Sequence, residues 1–155
     1  MAILREEMPY LPINFELKLG PDGETGAKGA ASEINGLNIE VQTVEYRGGN
    51  AKTNYTKKLA SLSKAGDITI KRGIIGAKNM YEWIDQVRTG QVDKAKRVVT
   101  ITLSDENPTN DTPVITWKLL GAMPIKWNGP TLHASNTSDV GFEELVLSVD
   151  HLEQS

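Results

Sequence analysis

Apolar and polar residues alternate along most of this 155-residue chain. In "INFELKL", Ile13, Phe15, Leu17 and Leu19 alternate with Asn14, Glu16 and Lys18, the period-two pattern of a half-buried strand. "GLNIEVQTVEY" repeats it with Leu37, Ile39 and Val41 against Asn38, Glu40 and Gln42. "DITIKR" offers Ile68 and Ile70, and "RVVTITLSD" sets Val99, Ile101 and Leu103 against Val98, Thr100 and Thr102. "PVITWKLLGA" places Ile115, Trp117 and Leu119 on one face. "PIKWNGPTL" reads as a separate, proline-bounded edge or bend. "FEELVLSVD" closes the series with Leu145, Leu147 and Val149 in step. Six or seven such strands predict a mainly β protein, an antiparallel sandwich or barrel. One segment changes period. In "NMYEWIDQVRTG", Met80, Trp83, Ile84 and Val87 form a helical stripe, which predicts an α-helix over about residues 79–89. Asn79 and Glu82 have the spacing of a capping box, and Gly90 stands where a helix stops.

Two stretches lack both periods. "GPDGETGAKGAA", residues 20–31, carries glycine at every third position, the spacing of a collagen strand. Four triplets with one proline are too few to order three chains, and "GPDG" is turn chemistry, so a hairpin loop is expected. The second stretch, 47–66, reads as a long polar loop with four lysines that also holds Tyr55, Leu59 and Leu62. Those side chains either fold back over the parent core or dock on another subunit.

Composition narrows the function classes. The length suits one domain over residues 1–155, and the formal charge of −3 gives no reason to expect a nucleic-acid or acidic-membrane surface. With no cysteine, disulfides, thiolate metal sites and cysteine nucleophiles are excluded. Arg5, Glu6 and Glu7 interrupt the N-terminus where a secretory leader needs an apolar run, and no stretch is long enough for a membrane-spanning helix. The protein is expected to fold in the cytoplasm, without a membrane anchor.

Candidate chemistry is sparse. His133, Ser135 and Asp139 share one short loop, where close sequence neighbours rarely converge as a triad. Asp105, Glu106, Asn107, Asn110 and Asp111 gather oxygen ligands but lack the glycine and terminal Glu of an EF-hand loop. Glu143 and Glu144 are adjacent on a strand and so face opposite sides. The basic clusters at Lys57–Lys58 and Lys94–Arg97 are not interleaved with aromatics as a single-strand-binding groove would be. No catalytic residue, metal site or cofactor is expected.

The order of motifs is more telling. Val44–Arg47 ("VEYR") precedes a glycine-bearing loop, followed by Ile68–Gly73 ("ITIKRG") and Tyr81–Trp83 ("YEW"). Then come Trp117–Lys126, Gly129–Leu132 ("GPTL") and Glu143–Leu147 ("EELVL"). This ordered set, over about three quarters of the chain, resembles the tube proteins of contractile tails. These are the tail tube proteins of myophages and the inner tube proteins of phage-tail-like particles and extracellular contractile injection systems. Many relatives carry Leu-Pro-Gly before the "ITIKRG" strand where this chain has Leu59-Ala60-Ser61-Leu62, and the glycine-rich insert at 20–31 looks particular to this chain.

The resemblance implies hexameric rings stacked into a rigid tube inside a contractile sheath, each subunit adding strands to a β-barrel around a lumen. Implied partners are further copies of the chain, a sheath protein, baseplate and terminator or cap proteins, and protein or DNA cargo in the lumen. The place implied is a virion or a contractile particle assembled in the cytoplasm. The 47–66 loop then becomes a candidate ring-stacking arm, with Arg47, Asn50, Tyr55, Lys57, Lys58, Leu59 and Leu62 as interface candidates. Strand parity offers Glu16, Lys18, Asn38, Glu40, Gln42, Thr100, Thr102 and Lys118 as lumen-lining candidates, although the same letters suit an outer surface equally. The rival readings are a type VI secretion tube protein and a free-standing β-sandwich that binds a ligand. The second would need an exposed aromatic cluster, and only 6% of the chain is aromatic.

Overall fold

The computed structural model describes residues 8–20, 31–74, 79–107, 113–135 and 140–155. Five strands come first among them: β1 (Phe15–Leu19), β2 (Ala31–Asn35), β3 (Ile39–Tyr46), β4 (Lys57–Ala65) and β5 (Ile68–Gly73). The helices α1 (Asn79–Arg88) and α2 (Val92–Ala95) follow, then β6 (Arg97–Ser104), β7 (Pro113–Asn128), β8 (Phe142–Ser148) and β9 (His151–Gln154). The strands run in the order β1–β6–β7–β8–β5–β2, with β9 added to β7, while β3 and β4 form a separate two-stranded ribbon. Every pairing among the described residues is antiparallel, as the alternating patterns predict.

Register explains the core. Leu17 and Leu19 stand opposite Ile101 and Val99, which in turn stand opposite Trp117 and Leu119. On the other half of the path, Ile68 and Ile70 face Leu147 and Leu145. Both sets join Met80 and Trp83 of α1 in one buried cluster. Each large side chain so buried contributes about 1.5–3 kcal/mol. Ile13, expected on the inward face of the first strand, instead precedes β1 and is exposed.

The long β7 belongs to both halves. Its first part pairs with β6 and β9, and its second part with β8. "PIKWN" is therefore not a separate edge piece. Gly121, at φ +65°, turns the strand, and a Cβ there would overlap the Asp150 carboxylate. Pro124 is buried inside the strand, and the register with β8 shifts between Pro124 and Lys126. Lacking an N–H, a proline sits in a sheet only where the ladder is already broken.

The predicted helix forms and stops at Gly90, whose φ of +89° is the left-handed value that favours glycine. The Asn79 carboxamide accepts the Met80 N–H at 3.2 Å and the Arg72 Nη1 donor at 2.8 Å, so it ties the helix to β5. Of the "KAKR" cluster, Lys94 and Ala95 close α2 and Arg97 opens β6. The Trp83 indole donates to the Ala95 carbonyl at 2.6 Å, and the Arg97 guanidinium lies 5.3 Å from the Trp83 ring centre.

Two loop expectations need revision. Residues 21–30 of the glycine-rich stretch lie outside the described residues. The strands flanking it are not hairpin partners, since β1 pairs with β6 and β2 with β5 at opposite ends of the path. The 47–66 stretch contains a nine-residue strand, β4. Between Val41 and Thr43 the register shifts so that Ser61 and Leu62 together oppose Gln42. Leu59 and Leu62 lie three residues apart in sequence, and the bulge that absorbs this spacing hides the strand from a period-two reading.

Candidate functional site

The β3–β4 ribbon runs from the Ile39–Ala65 pair at its root to the Tyr46–Lys57 pair near its tip. All of β3, and all of β4 but Ala65, is exposed. Directly opposed residues share a face. One face holds Ile39, Val41, Thr43 and Glu45 with Ala65, Ser63, Ala60 and Lys58. The other holds Glu40, Val44 and Tyr46 with Lys64, Leu59 and Lys57. Apolar side chains therefore stand on both sides, near the root on one and near the tip on the other. Leu62, 76% exposed, adds to them. A two-stranded ribbon bare on both faces is marginal alone, and exposed apolar area of this kind marks a contact surface.

Among the interface candidates, Lys57, Lys58, Leu59 and Leu62 lie on β4, and Arg47, Asn50 and Tyr55 lie in the turn region at the tip. There Arg47 Nη2 donates to the Thr53 carbonyl at 3.4 Å, and the Ala51 N–H to that of Gly48 at 3.0 Å. The root is built on glycines. Gly36 has φ +91°, and a Cβ would strike the Asp67 carbonyl oxygen. Gly66 donates its N–H to the Asn38 carbonyl at 3.3 Å, and a Cβ there would strike the Asn38 side chain. This close packing fixes the point at which the ribbon leaves the body.

The lumen candidates separate into two groups. Lys18, Thr100, Lys118 and Glu153 form one cross-strand row over β1, β6, β7 and β9. Glu16, Thr102 and Thr116 form the next. Glu16, Lys18, Thr100, Thr102 and Lys118 thus share one polar face, opposite the face carrying Leu17, Ile101 and Leu119. The charges on it are mixed, and Lys18 Nζ lies 3.8 Å from Glu16 Oε2. Glu40 and Gln42 belong to the ribbon, and Asn38 to its root.

A buried polar cluster escaped the sequence reading. Arg72 is 1% exposed, and its Nε donates to Glu143 Oε1 at 2.8 Å while Nη2 bonds the same oxygen. The Trp127 indole donates to Glu143 Oε2 at 3.4 Å. Parity carried the signal. Arg72 continues the inward series Ile68, Ile70, and Glu143 the series Leu147, Leu145. Glu144 faces the other way, opposite Lys71, as expected for adjacent strand residues. On the surface, Arg88 pairs with Asp85, and that hydrogen bond is the main cause of its raised pKa.

Among the described residues the remaining chemical candidates form no site. His133 and Ser135 are exposed, and Asp139 lies outside the described residues. Asp105 Oδ1 accepts the Glu106 N–H at 2.7 Å, and Glu106 Oε1 accepts that of Leu11 at 2.9 Å, so both carboxylates act in loop structure. Asn110 and Asp111 are also outside the described residues. Among the described residues no group of three or more His, Asp or Glu side chains is placed to hold a metal.

The tube protein structure solved in the PVC sheath–tube complex of an extracellular contractile injection system, in its extended state, is 25% identical to this chain. It superimposes with a TM-score of 0.80, over 97% of this chain and 93% of that one. A chain of the anti-feeding prophage cap also reaches 0.80 at 24% identity, covering 99% and 95%. Hcp1 from Flavobacterium johnsoniae shares the fold more distantly, with a TM-score of 0.51 at 13% identity over 91% and 94%. No curated protein matches the chain in sequence. Residues 11–153 match the T4-like virus tail tube protein gp19 family, and the chain belongs to that family.

Proposed function

We propose that this chain forms the inner tube of a phage-tail-like contractile injection system, as a single tail-tube domain repeated six times per ring. The carrying observation is the β3–β4 ribbon, bare and apolar on both faces, in a member of the tail tube family. Stacked rings would bury that ribbon, with Arg47, Asn50, Tyr55, Lys57, Lys58, Leu59 and Leu62 at the ring-to-ring contact. The face carrying Glu16, Lys18, Thr100, Thr102 and Lys118 lines the lumen, joined by Glu40 and Gln42 of the ribbon, while Asn38 supports the ribbon at its root. Large barrels present one wet and one apolar face in this way. The role is mechanical: the tube is the rigid shaft that a contracting sheath drives forward, and cargo travels inside it. Sheath, baseplate and terminator proteins are its partners, in keeping with the sheath–tube and sheath/tube-terminator complexes in which similar chains occur.

Negative-stain electron microscopy of the concentrated protein, with size-exclusion chromatography beside it, tests the assembly. Six-fold rings or hollow tubes are expected. Protein that stays monomeric even with its cognate baseplate components would overturn the reading. For the lumen, Lys118→Glu is expected to change cargo loading and leave tube formation intact. Loss of tubes would make that face an interface.

A further inference from the structure

The ribbon offers a contact surface, and the body carries an apolar groove that could receive one. The groove, of about 330 Å³, is lined by Pro12, Phe15, Ile34, Leu37, Ile101 and Trp117 among others. Phe15, Ile101 and Trp117 lie on the inward face of β1, β6 and β7, and Ser32, Glu33 and Ile34 of β2 form the opposite wall. Two acidic side chains stand at the opening. Glu33 lines it directly, and the Glu106 carboxylate lies beside it, accepting the N–H of Leu11 next to Pro12.

The ribbon has the opposite character. Residues 39–66 hold five basic side chains and two acidic ones, a net charge of +3, which leaves −6 on the rest of the chain. Around its tip Tyr55 and Leu59 stand exposed beside Lys57 and Lys58. An apolar tip with a basic flank matches an apolar groove with an acidic rim. The two cannot meet within one molecule. Leu37, in the groove wall, lies two residues before β3, and the eight residues of β3 carry the tip roughly 25 Å away at about 3.3 Å per residue.

We propose that this groove is the docking site for the ribbon tip of a second copy of the chain. Tyr55 and Leu59 enter between β2 and β6, and Lys57, on the same ribbon face as Leu59, meets Glu33 and Glu106. The inference rests on the tube reading and adds to it the surface on which the arm lands. Because ribbon and groove are different surfaces of one chain, the contact is heterologous and repeats along an axis instead of closing on a pair.

The cysteine-free sequence makes the test specific. Ser32→Cys at the groove and Tyr55→Cys at the tip are prepared as separate proteins, mixed, assembled and oxidised. Mixed disulfide dimers are expected in tubes and not in dispersed subunits. A control pair of Ser32→Cys with Thr131→Cys, in an exposed loop, should give none. Glu33→Lys should raise the critical concentration for tube growth about two- to five-fold, and adding Lys57→Glu to the same chain should reverse most of that. Tubes that grow normally with Glu33→Lys and never cross-link would overturn the landing site and leave the tube reading standing. Equal cross-linking in the control pair would also overturn it. If Ser32→Cys is shielded from a thiol reagent only after sheath protein is added, the groove belongs to the sheath and the proposal is wrong. Wild-type protein that never forms rings or tubes with its baseplate would instead remove the tube reading itself.

Discussion

Replacing Arg72 by methionine isolates the largest single electrostatic commitment in the subunit body. The arginine is 1% exposed and binds Glu143 through Nε and Nη2, while Nη1 reaches the Asn79 carboxamide at the start of α1. Methionine fills similar space without charge. It leaves Glu143, itself 8% exposed, with the Trp127 indole at 3.4 Å but no cation. Breaking one side of a buried pair costs about 3–5 kcal/mol, because the surviving charge stays desolvated without compensation. For a domain of this size each kcal/mol moves Tm by about 2–4 °C, so a fall of roughly 6–20 °C is expected. The assay is thermal unfolding by circular dichroism at a concentration where the protein does not assemble. Arg72→Met with Glu143→Leu removes both charges together and should recover most of the loss, a coupling that only a direct pair produces. A drop of less than 2 °C in the single variant, or a double variant that loses the sum of both singles, would refute the argument.

Four further outcomes follow from the geometry. Gly66→Ala pushes a Cβ into the Asn38 side chain, so ribbon-dependent tube formation should fail and Asn38→Ala in the same chain should restore it, as scored by electron microscopy. Gly36→Ala meets the Asp67 backbone at φ +91°, and no side-chain deletion should rescue it. Gly121→Ala should lower urea-unfolding stability by about 1–3 kcal/mol, since φ +65° and the Asp150 carboxylate both oppose a side chain there. Leu62→Asp, on a residue exposed in the free subunit, should leave Tm within about 2 °C of wild type, as surface changes do, and abolish tubes. Equal loss of Tm and tubes would place Leu62 in the subunit's own fold.

Legibility tracked how directly each residue's setting is encoded by its neighbours. The strands whose inward residues meet a core, such as β5 with Ile68 and Ile70 or β8 with Leu145 and Leu147, announce themselves by parity alone. So does α1, whose stripe and terminal glycine are both local. The β3 alternation was equally clear, yet its faces could not be assigned, because parity fixes a side and not what covers it. The bulge at Ser61 and Leu62 broke the period and concealed β4. Pro124 divided β7 into two on paper, since the backbone shift that accommodates it depends on a strand far away in sequence. Parity puts Arg72 and Glu143 on inward faces, but charged letters read as solvent-facing, and nothing local shows that the two, 71 residues apart, neutralise each other. The ribbon showed in the sequence as apolar residues in a polar stretch, but neither its second strand nor what covers it could be read there.

The double membership of β7 bears on how such a subunit carries load. In an ordinary sandwich two sheets meet through greasy side chains, and shear slides one past the other at little cost. Here one continuous backbone is hydrogen-bonded to β6 and β9 at one end and to β8 at the other. Displacing the halves would mean unzipping ladders or stretching covalent chain, so thrust delivered to one layer passes to the other through the strand itself.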